Sequence, residues 1–359
     1  MSSPNLDRMS LAPFARRAGL TAGVIFTADV LAYVAFVYLA VTSDALLAQF
    51  IYALLAGAVI SLLAIVGHDA AHQSFFPNKT LNRVLGTIAF LPALHPFTLW
   101  EHHHNKVHHR FTAQIGVDNA FSPMTVEQYR AASPGRRSYY RFMRSLWGQP
   151  FFYLADIWWP NMAVPFAYAG GKELTRTNWF DLGVVYAYLI ALVATCTWLS
   201  HTAAAGRETW CISFLDAVYF GALIPFLTWN AFIAFVTIVQ HTGPDVRWSL
   251  PSGQPTSVEQ AMAGTVHIRF PNLLDWAMHR VMQHQAHHVH MGVPLYRLKG
   301  AQAEVTEVTQ GENQRWWTPA YHMRLTRECK LYDPEANTWV GFDAARRRRV
   351  QPARQDRAA

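Results

Sequence analysis

The sequence predicts an all-α integral membrane protein: four transmembrane helices, arranged as two hairpins, with a cytoplasmic helical cap that gathers a metal site. Three observations predict it. Apolar residues make up 52% of the 359 and charged residues 15%, and the apolar ones are collected into long blocks. Four of those blocks are long enough to cross a bilayer, which takes roughly 20 residues of helix. Ten of the 17 histidines fall in three tight clusters: His68/His72, His102–His104 with His108/His109, and His284/His287/His288.

The four apolar blocks run about 18–41, 45–67, 180–200 and 213–239. Only Thr42-Ser43-Asp44 separates the first two, so they form a tight helical hairpin. The second two are joined by His201–Ile212, a loop with a single basic residue, Arg207. The other Lys and Arg lie in the N-terminal segment (1–17), in 68–179 and after 240. By the positive-inside rule these regions are cytoplasmic, which puts both termini and every histidine cluster on one side. A multi-pass protein of the inner (cell) membrane is expected.

Two further apolar stretches, 84–99 and 150–170, are short or broken by Pro92, Pro96, Pro150, Pro160 and Pro165. Segments of that kind, rich in Trp and proline, lie in the interface and do not span. Residues 115–148 and 243–345 read as the polar cap, and 344–359 as a basic, disordered tail in contact with anionic headgroups. Residues 18–343 then make one domain. No signal peptide is expected, because the first sixteen residues carry Arg8 and Arg16 without a short apolar core and cleavage site. Cys196, Cys211 and Cys329 are too far apart for a zinc ribbon, an iron–sulfur cluster or a disulfide framework. The net charge of +7 is spread through the hydrophilic parts, so membrane topology explains it and nucleic acid is not an expected partner.

The histidines carry the chemistry. Neutral imidazole is the commonest protein ligand for a transition metal. Residues three or four apart share a helix face. His68 and His72 are therefore expected to point together, as are His104 and His108, with His284, His287 and His288 as a third set. The lone His95, His201 and His322 read as surface or satisfied core residues. There is no H-E-x-x-H for a zincin, and no pair of E-x-x-H motifs for a carboxylate-rich di-iron bundle. Eight or nine imidazoles suit two iron ions with positions left for dioxygen. Copper and zinc use the same ligands.

His68-Asp-Ala-Ala-His72, His104-Asn-Lys-Val-His108-His109 and His284-Gln-Ala-His287-His288 resemble the three histidine boxes of the membrane fatty acid desaturases. Four further stretches resemble the cyanobacterial acyl-lipid omega-6 (delta-12) branch. They are Val117-Asp118-Asn119-Ala120, Ile238-Val239-Gln240-His241-Thr242, Gly264-Thr265-Val266-His267 and Leu331-Tyr332-Asp333-Pro334-Glu335. The resemblance covers about residues 60–343. It departs in the second box, where those relatives have H-x-x-H-H and this chain has one residue more, so that His103 or His102 competes with His104 as its first member.

The resemblance implies that His68, His72, His104, His108, His109, His241, His284, His287 and His288 hold two iron ions. His279, His267 and His103 follow as lesser ligand or supporting positions, and Asp118 as the carboxylate that orients an imidazole, with Asp69 and Asp275 behind it. It implies oxygen-dependent desaturation of a membrane-associated acyl chain, on a glycerolipid or another acyl carrier. Trp100, Phe97 and the aromatic 151–159 stretch are candidates for lining its tunnel. Hydroxylation or acetylenic bond formation on a lipid is the alternative chemistry. A metal transporter is the alternative class, and it would need ligands near mid-membrane. The chain has no G-x-G-x-x-G, no H-P-G-G haem signature and no ferredoxin cysteine set, so a separate ferredoxin-like electron donor is expected.

Overall fold

A single apolar run in lipid has to satisfy its backbone N–H and C=O groups internally, and only a helix lets it do so. The computed structural model describes residues 11–165, 174–205 and 209–346. Among these residues four helices are long and apolar enough to cross a membrane: Gly19–Thr42, Leu46–Ala71, Arg176–Ala203 and Trp210–His241. In chain order, the first two are α1 and α2. Then come α3 (Lys79–Phe90), α4 (Phe97–Glu101), α5 (Val126–Ala131), α6 (Pro134–Met143) and α7 (Arg176–Ala203). The fourth span is composite. It runs as α8 (Trp210–Asp216), a π-helical turn (Ala217–Leu223) and α9 (Ile224–His241). The wide turn sits just before Pro225, whose missing N–H removes one i→i−4 bond.

The spans begin and end within a few residues of the sequence expectation, except that α2 runs on past 67 to Ala71. His68 is thus inside its last turn. Among the described residues the other apolar stretches form only short helices: α3 has 12 residues, and 153–163 is an 11-residue π-helical segment around Pro160, while 166–170 lie outside the described residues. The expected tail lies outside the described residues from 347 on. Before that, Arg130 donates to the carbonyls of Ala344 and Ala345, so packing continues past 343.

α2 is the central helix. It packs against α1, α3 and α9, and its apolar window is 61% buried, against 28% for α1 and 17% for α7. The outer faces of α1 and α7 show Leu20, Leu31, Phe180 and Ile190 to the surroundings, as lipid-facing helices do. α2 and α9 approach closely at Gly57: a Cβ there would stand 2.5 Å from Thr228 Cβ and 2.6 Å from the Pro225 carbonyl. Gly57→Ala is expected to destabilise this contact by about 1–3 kcal/mol. Thermal unfolding in detergent checks it, and an unchanged midpoint would mean that the helices have room to part.

One buried carboxylate joins three helices. Asp181 on α7 accepts from Arg83 on α3 at 2.7 Å and from the Thr98 N–H and hydroxyl on α4 at 2.9 and 2.6 Å. This holds the segment leading into the second histidine box against the membrane bundle.

The region after α9 carries α10 (Val258–Ala263), α11 (Asn272–Ala277), α12 (His284–Val289), α13 (Leu298–Val308) and α14 (Pro319–Glu328). It also has strands, which the all-α expectation omitted. β1 (His267–Arg269) pairs in parallel with β2 (Gln314–Trp316), and β3 (Leu331–Asp333) pairs antiparallel with β4 (Thr338–Val340). Each has three residues, too few to show a periodicity; β1 and β2 meet across more than forty residues, whereas β3 and β4 form a local hairpin.

Candidate metal centre

Four elements deliver the histidines. The end of α2 brings His68 and His72, and His241 is the last residue of α9. α12 is a six-residue helix beginning at His284. α4 runs without a break into a π-helical turn, His102–His108, closed by the His109 N–H on the His104 carbonyl at 2.9 Å.

These elements converge. His68, His72, His104, His109 and His287 form one group and His108, His241, His284 and His288 another, the ligand nitrogens of each lying within 4.8 Å of one another. The groups adjoin, with the His109 and His288 ring centroids 4.5 Å apart. His109 Nε2 is 3.0 Å from both His104 Nε2 and His287 Nε2. His284 Nε2 is 2.8 Å from His241 Nε2 and 2.9 Å from His288 Nε2. A neutral imidazole nitrogen carries one hydrogen or one lone pair, so such triplets cannot all be ordinary hydrogen bonds. They do match metal geometry: with bonds of about 2.1 Å, ligand nitrogens at right angles stand about 3.0 Å apart. His72 Nε2, buried and without a hydrogen-bond partner, is another donor of this kind.

The expected faces need correction. His104 pairs with His109, five residues on, while His108 belongs to the other group. Likewise His287 separates from His284 and His288. The cause in the second box is its winding: a π turn takes more residues per revolution, so i and i+5 share a face. One inserted residue is thereby absorbed while the first and last histidines stay together. Deleting Lys106, which is exposed, is expected to return the turn to α winding, with the old His104–His109 pair now at i, i+4. Metal content measured per chain should stay at the parent level; its loss would show that the wide turn itself is needed.

Burial decides the protonation state. The imidazoles of His104, His109, His284, His287 and His288 are held well below their ordinary pKa by desolvation first and by their imidazole neighbours second. They are neutral, which is the form that binds metal. Two carboxylates orient the rings. Asp118 Oδ1 is 2.9 Å from His108 Nδ1, and the carboxylate also accepts from the Ala113 N–H (2.7 Å) and the Ala120 N–H (3.0 Å). Asp69 Oδ1 is 2.9 Å from His68 Nδ1, and Oδ2 accepts from the Leu295 N–H at 2.6 Å. Each group of histidines thus has one anchored carboxylate behind it, turning one Nε2 toward the centre.

Other residues singled out from the sequence go elsewhere. Asp275 accepts from Arg280 and Gln283. His279 lies against Asp29 on α1 at 2.7 Å, and His267 sits in β1; among the described residues neither joins a histidine group. His103 stays outside as well. It contacts the Asn119 amide at 2.8 Å, and burial pushes its pKa down to about 4. His95 is a satisfied core residue, bonded to Tyr153 and to the Ala93 carbonyl.

Sequence reasoning missed the stacking of Trp100 on His104, with centroids 4.3 Å apart at 22°. A histidine four residues after a tryptophan was the available signal. It also missed Thr112, whose hydroxyl lies 3.4 Å from His288 Nδ1. Nothing local marks that contact. An apolar cavity opens against both groups, lined by Ile65, Phe90, Trp100, Tyr153, Trp229 and Val236 together with His68, His104, His108, His241, His284 and His287. Trp100 therefore lines it, whereas Phe97 packs in the core.

Comparison with known proteins agrees with this geometry. The chain is similar to the sn-1 oleoyl-lipid 12-desaturase of Synechocystis, 28% identical over 290 residues that cover 78% of this chain and 74% of that protein. It is 27% identical to the enzyme of the same name from Picosynechococcus over 296 residues, 80% of this chain and 78% of that one. With the chloroplastic omega-6 fatty acid desaturase of Arabidopsis thaliana it shares 26% over 298 residues, 82% of this chain and 62% of that one. A family model described as fatty acid desaturase matches residues 44–320, which hold all three boxes, so the chain belongs to the fatty acid desaturase family.

Proposed function

We propose that the protein is an oxygen-dependent acyl-lipid desaturase of omega-6 (delta-12) type. Two iron ions would be held, one by His68, His72, His104, His109 and His287, the other by His108, His241, His284 and His288. One observation carries this reading: two adjoining sets of inward-turned imidazole nitrogens form part of the wall of an apolar cavity. Nine nitrogens are fewer than the roughly twelve that two six-coordinate ions take, which leaves room for a further ligand. Bound iron supplies the oxidising power, drawn from dioxygen, to remove hydrogen from an unactivated methylene.

The chain's own residues bind and orient. Trp229, Phe232, Ile233, Val236, Thr237 and Gln240 line the cavity from one stripe of α9. From Trp229 to His241 that stripe covers about 18 Å of helix axis, a channel for an extended acyl chain leading to the histidines. Trp100 and Phe90 keep water from the reacting methylenes. No side chain in the cavity is needed as a general acid or base. The names of the relatives support the position of the double bond. The distribution of Lys and Arg supports a cytoplasmic cap, cytoplasmic termini and spans paired as two hairpins in the inner membrane, within one domain over 18–343. A ferredoxin-like protein is the proposed electron donor.

Expression in a desaturase-deficient host, beside a His287→Ala control, tests the reading by gas chromatography of total lipid. A new unsaturated acid is expected in the parent strain alone. The same acid in both strains would refute the site, and a hydroxylated or alkynyl product would refute desaturation. Metal loading without oxygen consumption on addition of acyl substrate would favour transport.

A further inference from the structure

One helix of the cap has its polarity reversed. α11 turns Leu273, Leu274 and Trp276 outward, at 75%, 46% and 63% exposure, and buries its only carboxylate, Asp275. Inside, Asp275 Oδ2 accepts from Arg280 Nη1 at 2.6 Å and from Gln283 Nε2 at 2.9 Å. A helix on a water-facing surface does the opposite. Lipid is the solvent that suits the observed arrangement.

The segment behind α11 shows where the helix sits. His279 Nε2 lies 2.7 Å from Asp29 Oδ2 on α1. Asp29 comes ten residues after Gly19, about 15 Å along the helix axis, on a span whose outer face exposes Leu20, Val24 and Leu31. An ionisable residue at such depth is costly and calls for a partner, and here the partner comes from the cap. His279 and Arg280 hold positive φ angles of 51° and 60°, a strained conformation for non-glycine residues that persists only where its surroundings fix it. Beside α11, Arg280 and Lys299 both donate to Asn272 Oδ1, at 2.9 and 2.8 Å, a pair of cations of the kind that suits lipid phosphates. On the inner side of the same segment, Val281 lines the cavity next to His284.

We propose that α11 is an in-plane membrane anchor. Leu273, Leu274 and Trp276 enter the acyl region of the leaflet that α1 crosses on its way from Gly19, and Met278–Gln283 separates that lipid from the histidine-lined cavity. The occupant of the apolar face is bilayer lipid, because the segment that follows α11 is tied through His279 and Asp29 to α1, a span that exposes leucine and valine along its length. The inference rests on the chain's being a membrane protein and not on the reaction, so its test is independent of catalysis.

The full chain, reconstituted in nanodiscs of phosphatidylethanolamine and phosphatidylglycerol, would carry a spin label at Leu273→Cys or, in a second variant, at Trp276→Cys. Of the three native cysteines only Cys211 is exposed, so a Cys211→Ala background suffices. Collision with oxygen and with a water-soluble nickel chelate is then compared with labels at Leu31→Cys in lipid and Glu304→Cys in water. Both α11 labels are expected to match position 31, at a depth of about 5–10 Å below the phosphates. Nickel access like that at 304 would overturn the proposal. Shielding from both reagents would also overturn it, in favour of a second copy or another protein on this face.

Discussion

Replacing His109 by alanine is expected to abolish desaturation and to lower bound metal from two ions per chain to one. His109 Nε2 is the nitrogen that touches both His104 and His287, so its loss removes the centre of the first group and leaves the second whole. Structural zinc sites with four ligands are worth about 10–16 kcal/mol, or roughly 3 kcal/mol per ligand, so one deletion weakens binding by about two orders of magnitude. Plasma mass spectrometry on purified protein reads the metal content directly. His284→Ala should give the mirror result, since His284 bridges His241 and His288 in the second group. His267→Ala, outside both groups, should keep two ions. If His109→Ala retained both ions, the division into two sites would be wrong.

The second large effect is expected at Asp118, which is completely buried. Asp118→Ala frees His108 Nδ1 and leaves the N–H groups of Ala113 and Ala120 unpaired in the interior. Each orphaned buried donor costs about 1–3 kcal/mol. With the lost histidine contact the total is about 3–5 kcal/mol, within the range for breaking a buried pair. Asp118→Asn keeps the shape, so its main effect should be on metal. Affinity at the second group is expected to fall about 10–100-fold, the usual consequence of losing an orienting partner, while the first group stays loaded. Unfolding of metal-free protein in detergent and metal titration separate the two effects. An alanine variant as stable as the parent would remove the structural role.

The outer limits of the site were legible in the sequence because they rest on local chemistry. Imidazoles three to five residues apart, at the ends of apolar runs, are visible without any structure, and so was Asp118 beside the second box. What stood out less was which side chains act together. Asp69 and Asp275 looked alike in the sequence, yet one lies on His68 and the other on Arg280. His279 looked like a possible ligand, and its partner proved to be Asp29, 250 residues away.

Hydropathy by itself marked the four candidate spans, and residue spacing marked a set of histidines able to hold metal, because both are properties of contiguous stretches. The division of nine histidines into five and four was decided only in three dimensions. It depends on a π turn that puts His109 where α winding would put His108, and on His241 meeting His284 across the end of α9. The short strands and the outward-turned face of α11 belong to the same class. Each depends on what packs beside it, and for β1 and α11 that neighbour lies far away in the chain.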